Sequence, residues 1–159
     1  MKIKKILIGI DESSFAEHAA EFGFYIAHTF KAKVGLVHII EPMVTPVATN
    51  SDILLGTTPQ VMGVNDLELI TIQNDASETL IERTTKKFGR DLEVTHFNEF
   101  GSTADGILAC SKEFKADLIV IGTHSRTGFD RLIMGSVAED VVRHSEIPVL
   151  VVPFPDHSE

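Results

Sequence analysis

The chain has 159 residues, 43% hydrophobic and 23% charged, with a formal net charge of −9. That length and composition suit one globular domain with its own core, and the acidic balance argues against a broad electrostatic grip on nucleic acid or an anionic membrane. Cys110 is the single cysteine, which excludes an internal disulfide, and no apolar run is long enough to span a bilayer; a cytoplasmic setting is expected, with neither nucleic acid nor membrane as partner.

Residues 6–10 are apolar apart from Gly9, the composition of a strand buried on both faces. Asp11 ends the run, followed by Glu12, Ser13 and Ser14. Two readings of Asp11 can hold together: its carboxylate faces a ligand at the strand end, or it serves a turn into a helix that Ser14 caps, with Glu17 completing a capping box. Phe15, Ala19, Phe22, Ile26 and Phe30 lie at helical spacing and predict the buried stripe of that first helix. Residues 34–40 predict a second strand, where His38 is expected to be satisfied by backbone hydrogen bonds.

Residues 41–65 break the rhythm with three prolines, two glycines and only two charges, yet carry many apolar side chains. So long a connection is unusual in one domain; it reads as a flap over a site, as part of a subunit contact, or as disorder. Leu69, Ile72, Ala76 and Leu80 predict a second helix, with Gly89 placed as its C-terminal glycine. Residues 92–97 alternate, Glu93 and Thr95 falling between Leu92, Val94 and His96, which predicts an edge strand with one wet face. Ala104, Ile107, Leu108 and Phe114 predict a third helix opened by Ser102.

The apolar run 118–121 meets Gly122, then a polar loop, then Gly135 and Ser136 before a helix marked by Val137, Ala138, Val141 and Val142. A glycine turn after a buried strand and a second glycine at a helix start expose backbone amides to an anion, phosphate above all. The plainer alternative is a tight turn with no ligand. Arg126 and Arg131 fit outer phosphates or simply solvated surface. Residues 149–152, between Pro148 and Pro153, form a last apolar strand.

Strand and helix therefore alternate throughout, which predicts an α/β fold: an open, doubly wound, five-stranded parallel sheet in the order 3-2-1-4-5 with helices on both faces. Residues 1–153 form the domain and 154–159 a frayed tail. The winding reverses between strands one and four, and ligands of such sheets bind there, beyond the carboxyl ends of the strands. The loops concerned are residues 9–14 and 122–136. The seven histidines lack metal-ligand spacing, and no nucleophile elbow, Walker loop or Gly-x-Gly-x-x-Gly occurs.

At these residues the chain resembles the universal stress protein family. Lys4-Lys5-Ile6-Leu7-Ile8-Gly9-Ile10-Asp11, His38-Ile39, Ile121-Gly122-Thr123-His124 and Gly135-Ser136-Val137-Ala138-Glu139 through Pro148-Val149-Leu150-Val151-Val152 carry the likeness. It implies ATP binding, with ADP or AMP as alternatives, through a motif of Gly, two residues, Gly, nine residues, then Gly-Ser or Gly-Thr. Gly122 matches the first glycine and Gly135-Ser136 the closing pair, while Ser125 stands where the second glycine is expected. The resemblance further implies adenosine contacts from Asp11, Ile39 and Ile121, with Val137 beside the phosphates. From the residues themselves, Gly9 opens the loop at the crevice, the Ser125 hydroxyl is expected to replace an amide as phosphate donor, and Arg126 to reach an outer phosphate. Magnesium is expected only through the nucleotide phosphates.

The strand at 149–152 is apolar on both faces and would form the open edge opposite strand three, so a homodimer through that edge is expected. Function is then a nucleotide-dependent switch that shows a surface to an unidentified protein partner. The alternative is a nucleotide-independent dimeric scaffold of the same fold. No general base is placed for catalysis, and at most slow ATP hydrolysis is expected.

Overall fold

Five strands run parallel in one sheet: β1 Lys5–Gly9, β2 Lys33–Ile40, β3 Val94–Phe100, β4 Leu118–Thr123 and β5 Val149–Pro153, ordered β3-β2-β1-β4-β5. This is a computed structural model, and it describes residues 2–42, 64–123 and 135–154. The helices are α1 Ser14–Phe30, α2 Val64–Thr84, α3 Thr103–Phe114 and α4 Ser136–His144.

The wholly apolar strands follow from two cores, one on each face of the sheet. Ile6, Ile8, Val34, Leu36 and Val120 pack with Phe24 of α1 and with Leu80 and Ile81 of α2. Leu7, Val37, Ile119 and Ile121 pack on the other face with Ile107 and Phe114 of α3 and with Ala138 and Val141 of α4. Successive residues of β1 thus serve opposite cores, and Ile6, Leu7 and Ile8 have no exposed surface. Each contributes roughly 1.5–3 kcal/mol relative to an exposed position.

The buried stripe of α1 differs from the predicted one. Ala16, Ala19, Ala20, Gly23, Phe24 and Ala27 face the sheet, while Phe22 and Phe30 are exposed. Close approach is the reason: a β-carbon on Gly23 would come within 2.8 Å of the Ile8 side chain. Small residues let the helix axis lie near the strands, with Phe24 kept inside and Phe22, Tyr25 and Phe30 turned outward.

Other corrections concern helix ends. Ser13, not Ser14, caps α1, its hydroxyl accepting from the Ala16 amide at 3.2 Å. The third helical position is therefore Ala16, so no capping box with Glu17 forms. Residues 64 and 65 belong to α2, not to the long connection, of which 43–63 lie outside the described residues. The buried side of α2 is Ser77, Leu80, Ile81 and Thr84, while Leu69 and Ile72 are exposed. After α2 the chain continues as a π-helical turn, Thr85–Gly89, and the residue with positive φ is Arg90 at 35°, not Gly89.

On the β3 edge, Phe97 is buried against Phe114, while Val94 and Asn98 are half-buried on the opposite face. Both faces of this strand are thus partly covered, because α2 and α3 flank it; His96, predicted to face inward, is exposed and bonds Thr85. After β5, the Phe154 ring packs edge-on against Phe15 at 5.0 Å between centroids. Residues 155–159 lie outside the described residues.

Candidate functional site

The carboxyl ends of β1, β2 and β4 open on a crevice of about 420 Å³. It lies where the order β2-β1-β4 reverses the winding, the position that topology favours for a ligand. Gly9, Asp11, Ile39, Ile121, Gly122, Gly135, Ser136 and Val137 all line it. Ser125 and Arg126, expected at the same site, lie outside the described residues. Val37, Ile39, Ile107 and Ile121 give it apolar walls, and Asp11, Ser13, Glu41, Thr103, Thr123 and Ser136 supply polar groups.

Three helices begin beside this crevice, and their first turns differ. At α1, Asp11 accepts from the Ser13 amide at 2.7 Å and Ser13 in turn caps the helix, so the turn-forming reading of Asp11 holds. At α3, Ser102 makes no side-chain cap, and the carboxylate of Glu41 takes its place, accepting from the Thr103 hydroxyl at 2.5 Å and the Thr103 amide at 3.4 Å. That helix already has an anion at its positive end. At α4, Gly135 stands at the cap position and no side chain caps the helix. The first ladder bond runs from the Glu139 amide to the Gly135 carbonyl at 2.9 Å. The amides of Ser136, Val137 and Ala138 precede that ladder, with no partner among the described residues, and these three residues line the crevice.

The two motif glycines have different physical reasons. A β-carbon on Gly122 would come within 2.7 Å of the Phe15 carbonyl oxygen, so glycine there lets β4 pass the first turn of α1. A β-carbon on Gly135 would meet no atom of the described residues within 4 Å, and its φ of −51° suits any residue. Among the described residues, neither packing nor backbone conformation calls for glycine at 135.

His38 also borders the crevice. Its Nδ1 lies 2.6 Å from the Ser77 hydroxyl, so its partner is a side chain of α2 and not the backbone as expected. Burial pushes its pKa below the ordinary histidine value, while the charges of Asp11 and Glu12 act in the opposite direction. Cys110, on the buried side of α3, has its thiol raised to about 11 by burial. No group of three or more His, Cys, Asp or Glu suited to a metal ion occurs among the described residues.

Several lining residues escaped the sequence reading, among them Ser13, Glu41, Thr103, Ile107 and Thr123. Thr123, the neighbour of Gly122, is 7% exposed, and its Oγ1 is the buried side-chain polar atom left without a hydrogen-bond partner among the described residues. The signal available was a threonine directly after the glycine that closes an apolar strand.

Comparison with known proteins places this geometry in a family. The model of the universal stress protein family matches residues 2–153. The chain is 30% identical over 154 residues to Universal stress protein MJ0531 of Methanocaldococcus jannaschii, a match covering 96% of this chain and 83% of that protein. Among solved structures it is similar to MJ0577 of Methanocaldococcus jannaschii, with a TM-score of 0.76 and 24% identity over 98% of this chain and 99% of that one. It is also similar to the universal stress protein from Archaeoglobus fulgidus in complex with dAMP, with a TM-score of 0.55 and 21% identity over 95% of this chain and 98% of that one. At these identities the solved structures establish the shared fold.

Proposed function

The chain belongs to the universal stress protein family, and from that premise we propose that its crevice binds an adenine nucleotide, ATP in the first instance. The base lies towards Asp11 and Ile39, with Gly9 and Ile121 beneath the sugar. The phosphates lie over Gly122 and the start of α4, at Gly135, Ser136 and Val137. Ser125 and Arg126 are proposed as further phosphate contacts.

The observation that carries this reading is the uncapped start of α4 beside helices whose first turns are closed by Ser13 and by Glu41. A helix N-terminus carries about half a positive charge and free N–H groups, and an anion is the natural occupant. The space above Gly135 fits the same group. The volume of about 420 Å³ lies within the span usual for small-molecule sites, roughly 300–1,000 Å³, and apolar walls suit the flat faces of a purine. The solved relative with dAMP binds a ligand of the same class.

Asp11 and Glu41 are the described ionised side chains on the crevice wall, and no described lysine or arginine lines it. Among the described residues, phosphate charge is therefore met by the main-chain dipoles at the start of α4, with Arg126 as the side-chain cation proposed above and magnesium entering with the triphosphate.

The protein acts as a dimer joined at β5, with nucleotide occupancy altering the surface offered to a protein partner. The β4–β5 register turns the amides of Leu150 and Val152 towards β4 and those of Val149 and Val151 outward. That outer edge lacks lysine and is half-buried in the single chain, the state of a strand that pairs with its symmetry mate.

Calorimetric and thermal-shift titration with ATP, ADP and AMP tests the reading. Saturable binding of one nucleotide per chain, with melting temperature rising with ligand concentration, is the expected result. Absence of heat and of any shift with all three nucleotides favours the nucleotide-independent scaffold instead.

A further inference from the structure

The Thr123 hydroxyl is a buried group with no partner among the described residues, on the wall of a crevice that one uncapped helix also borders. An unsatisfied buried hydroxyl is destabilising, and valine has nearly the same shape without that cost. Threonine at the end of an otherwise apolar strand therefore calls for a reason outside the core.

Alternation along β4 supplies the direction. Ile119 and Ile121 belong to the core beneath α3 and α4, whereas Gly122 abuts the backbone of α1 at Phe15. Thr123 shares the parity of Ile119 and Ile121 and so stands on the α4 side of the sheet. Its hydroxyl and the amides of Ser136, Val137 and Ala138 are hydrogen-bond donors on the same crevice. A phosphate offers acceptors only, and one phosphate group has oxygens enough for several donors at once.

We propose that Thr123 donates its hydroxyl hydrogen to a phosphate oxygen of the nucleotide, and that this bond makes the crevice prefer phosphorylated adenosine to adenosine itself. The proposal rests on the nucleotide reading above and adds to it a side-chain specificity group. Bonds to charged acceptors are the stronger kind, so the preference conferred is about tenfold or more.

The test is calorimetric titration of the protein and of its Thr123→Val, Thr123→Ala and Thr123→Ser variants with AMP and with adenosine. Thr123→Val is expected to lose about tenfold or more in AMP affinity while keeping its adenosine affinity and a ligand-free melting temperature at or above that of the parent. Thr123→Ala must show the same loss of preference, and Thr123→Ser, which keeps a hydroxyl, must retain it. Unchanged AMP affinity in Thr123→Val and Thr123→Ala overturns the proposal and leaves nucleotide binding standing. Equal losses for AMP and adenosine also overturn it, since they mark damage to packing. If the parent protein binds neither AMP, adenosine nor ATP, the nucleotide reading fails and this proposal with it.

Discussion

The hydroxyl of Ser77 bridges His38 and Asn98, lying 2.6 Å from Nδ1 of the first and 2.7 Å from Oδ1 of the second. Asn98 donates through Nδ2 to Asn74 at 2.7 Å, which leaves its Oδ1 as the acceptor facing Ser77. A serine hydroxyl has one hydrogen; it goes to Asn98, so Nδ1 of His38 must be the donor. Neutral His38 is thereby held in the Nδ1–H tautomer, with Nε2 as its acceptor. Nitrogen chemical shifts of the His38 ring measure this directly, and an Nε2–H tautomer contradicts the network.

Because burial depresses the pKa of folded His38, the unfolded chain, with an ordinary imidazole near about 6.5, takes up a proton first. Between the two values the unfolded state binds more protons, so stability rises with pH there. The His38 contribution is complete above about 6.5 and is lost as pH falls through that value towards the folded one. Urea unfolding at pH 8 and pH 5.5 should show a smaller loss of stability in His38→Gln than in the parent. An identical loss in both contradicts the assignment.

Ser77 is 1% exposed, and Ser77→Ala strands Nδ1–H of His38 and Oδ1 of Asn98 together. Loss of about 1–3 kcal/mol in unfolding free energy is expected. A variant as stable as the parent shows that the bridge carries little weight.

Gly122 and Gly135 give opposite outcomes when replaced by alanine. Gly122→Ala drives a methyl into the Phe15 carbonyl and should destabilise by about 1–3 kcal/mol with or without nucleotide. Gly135→Ala meets no described atom within 4 Å, so it should keep its stability while weakening nucleotide binding. Comparing ligand-free melting temperature with calorimetric affinity separates the two; a fall in stability without loss of affinity in Gly135→Ala counters the account of that residue.

The dimer contact is open to a one-residue test. Val151 has its amide on the outer side of β5, so Val151→Pro spares the bonds to β4 and blocks pairing beyond the edge. Sedimentation should report a dimer for the parent and a monomer for Val151→Pro. A monomeric parent, or a dimeric variant, sets the contact elsewhere.

The sheet was legible because burial on both faces leaves an uninterrupted apolar run, and Ile6 to Ile8 advertise it. The crevice followed from strand order, which brought Asp11, Ile39, Gly122 and Gly135 to one place from distant parts of the chain. The seat of α1 was not legible: residue size points to Phe22 and Phe30, whereas proximity to Ile8 selects Ala19, Gly23 and Ala27. Ser13 and Ser14 are equal candidates for a cap until the first helical turn is located. The His38–Ser77–Asn98 bridge joins side chains 39 and 21 positions apart, and the isolation of the Thr123 hydroxyl is a property of its surroundings. Neither leaves a pattern in sequence.

The most direct test of nucleotide binding at the start of α4 is amide NMR of the labelled protein titrated with ATP and magnesium. Saturable shifts at the amides of Ser136, Val137 and Ala138, with smaller ones at Asp11 and Ile39, are the predicted result. A spectrum in which those three amides do not move at saturating nucleotide contradicts it.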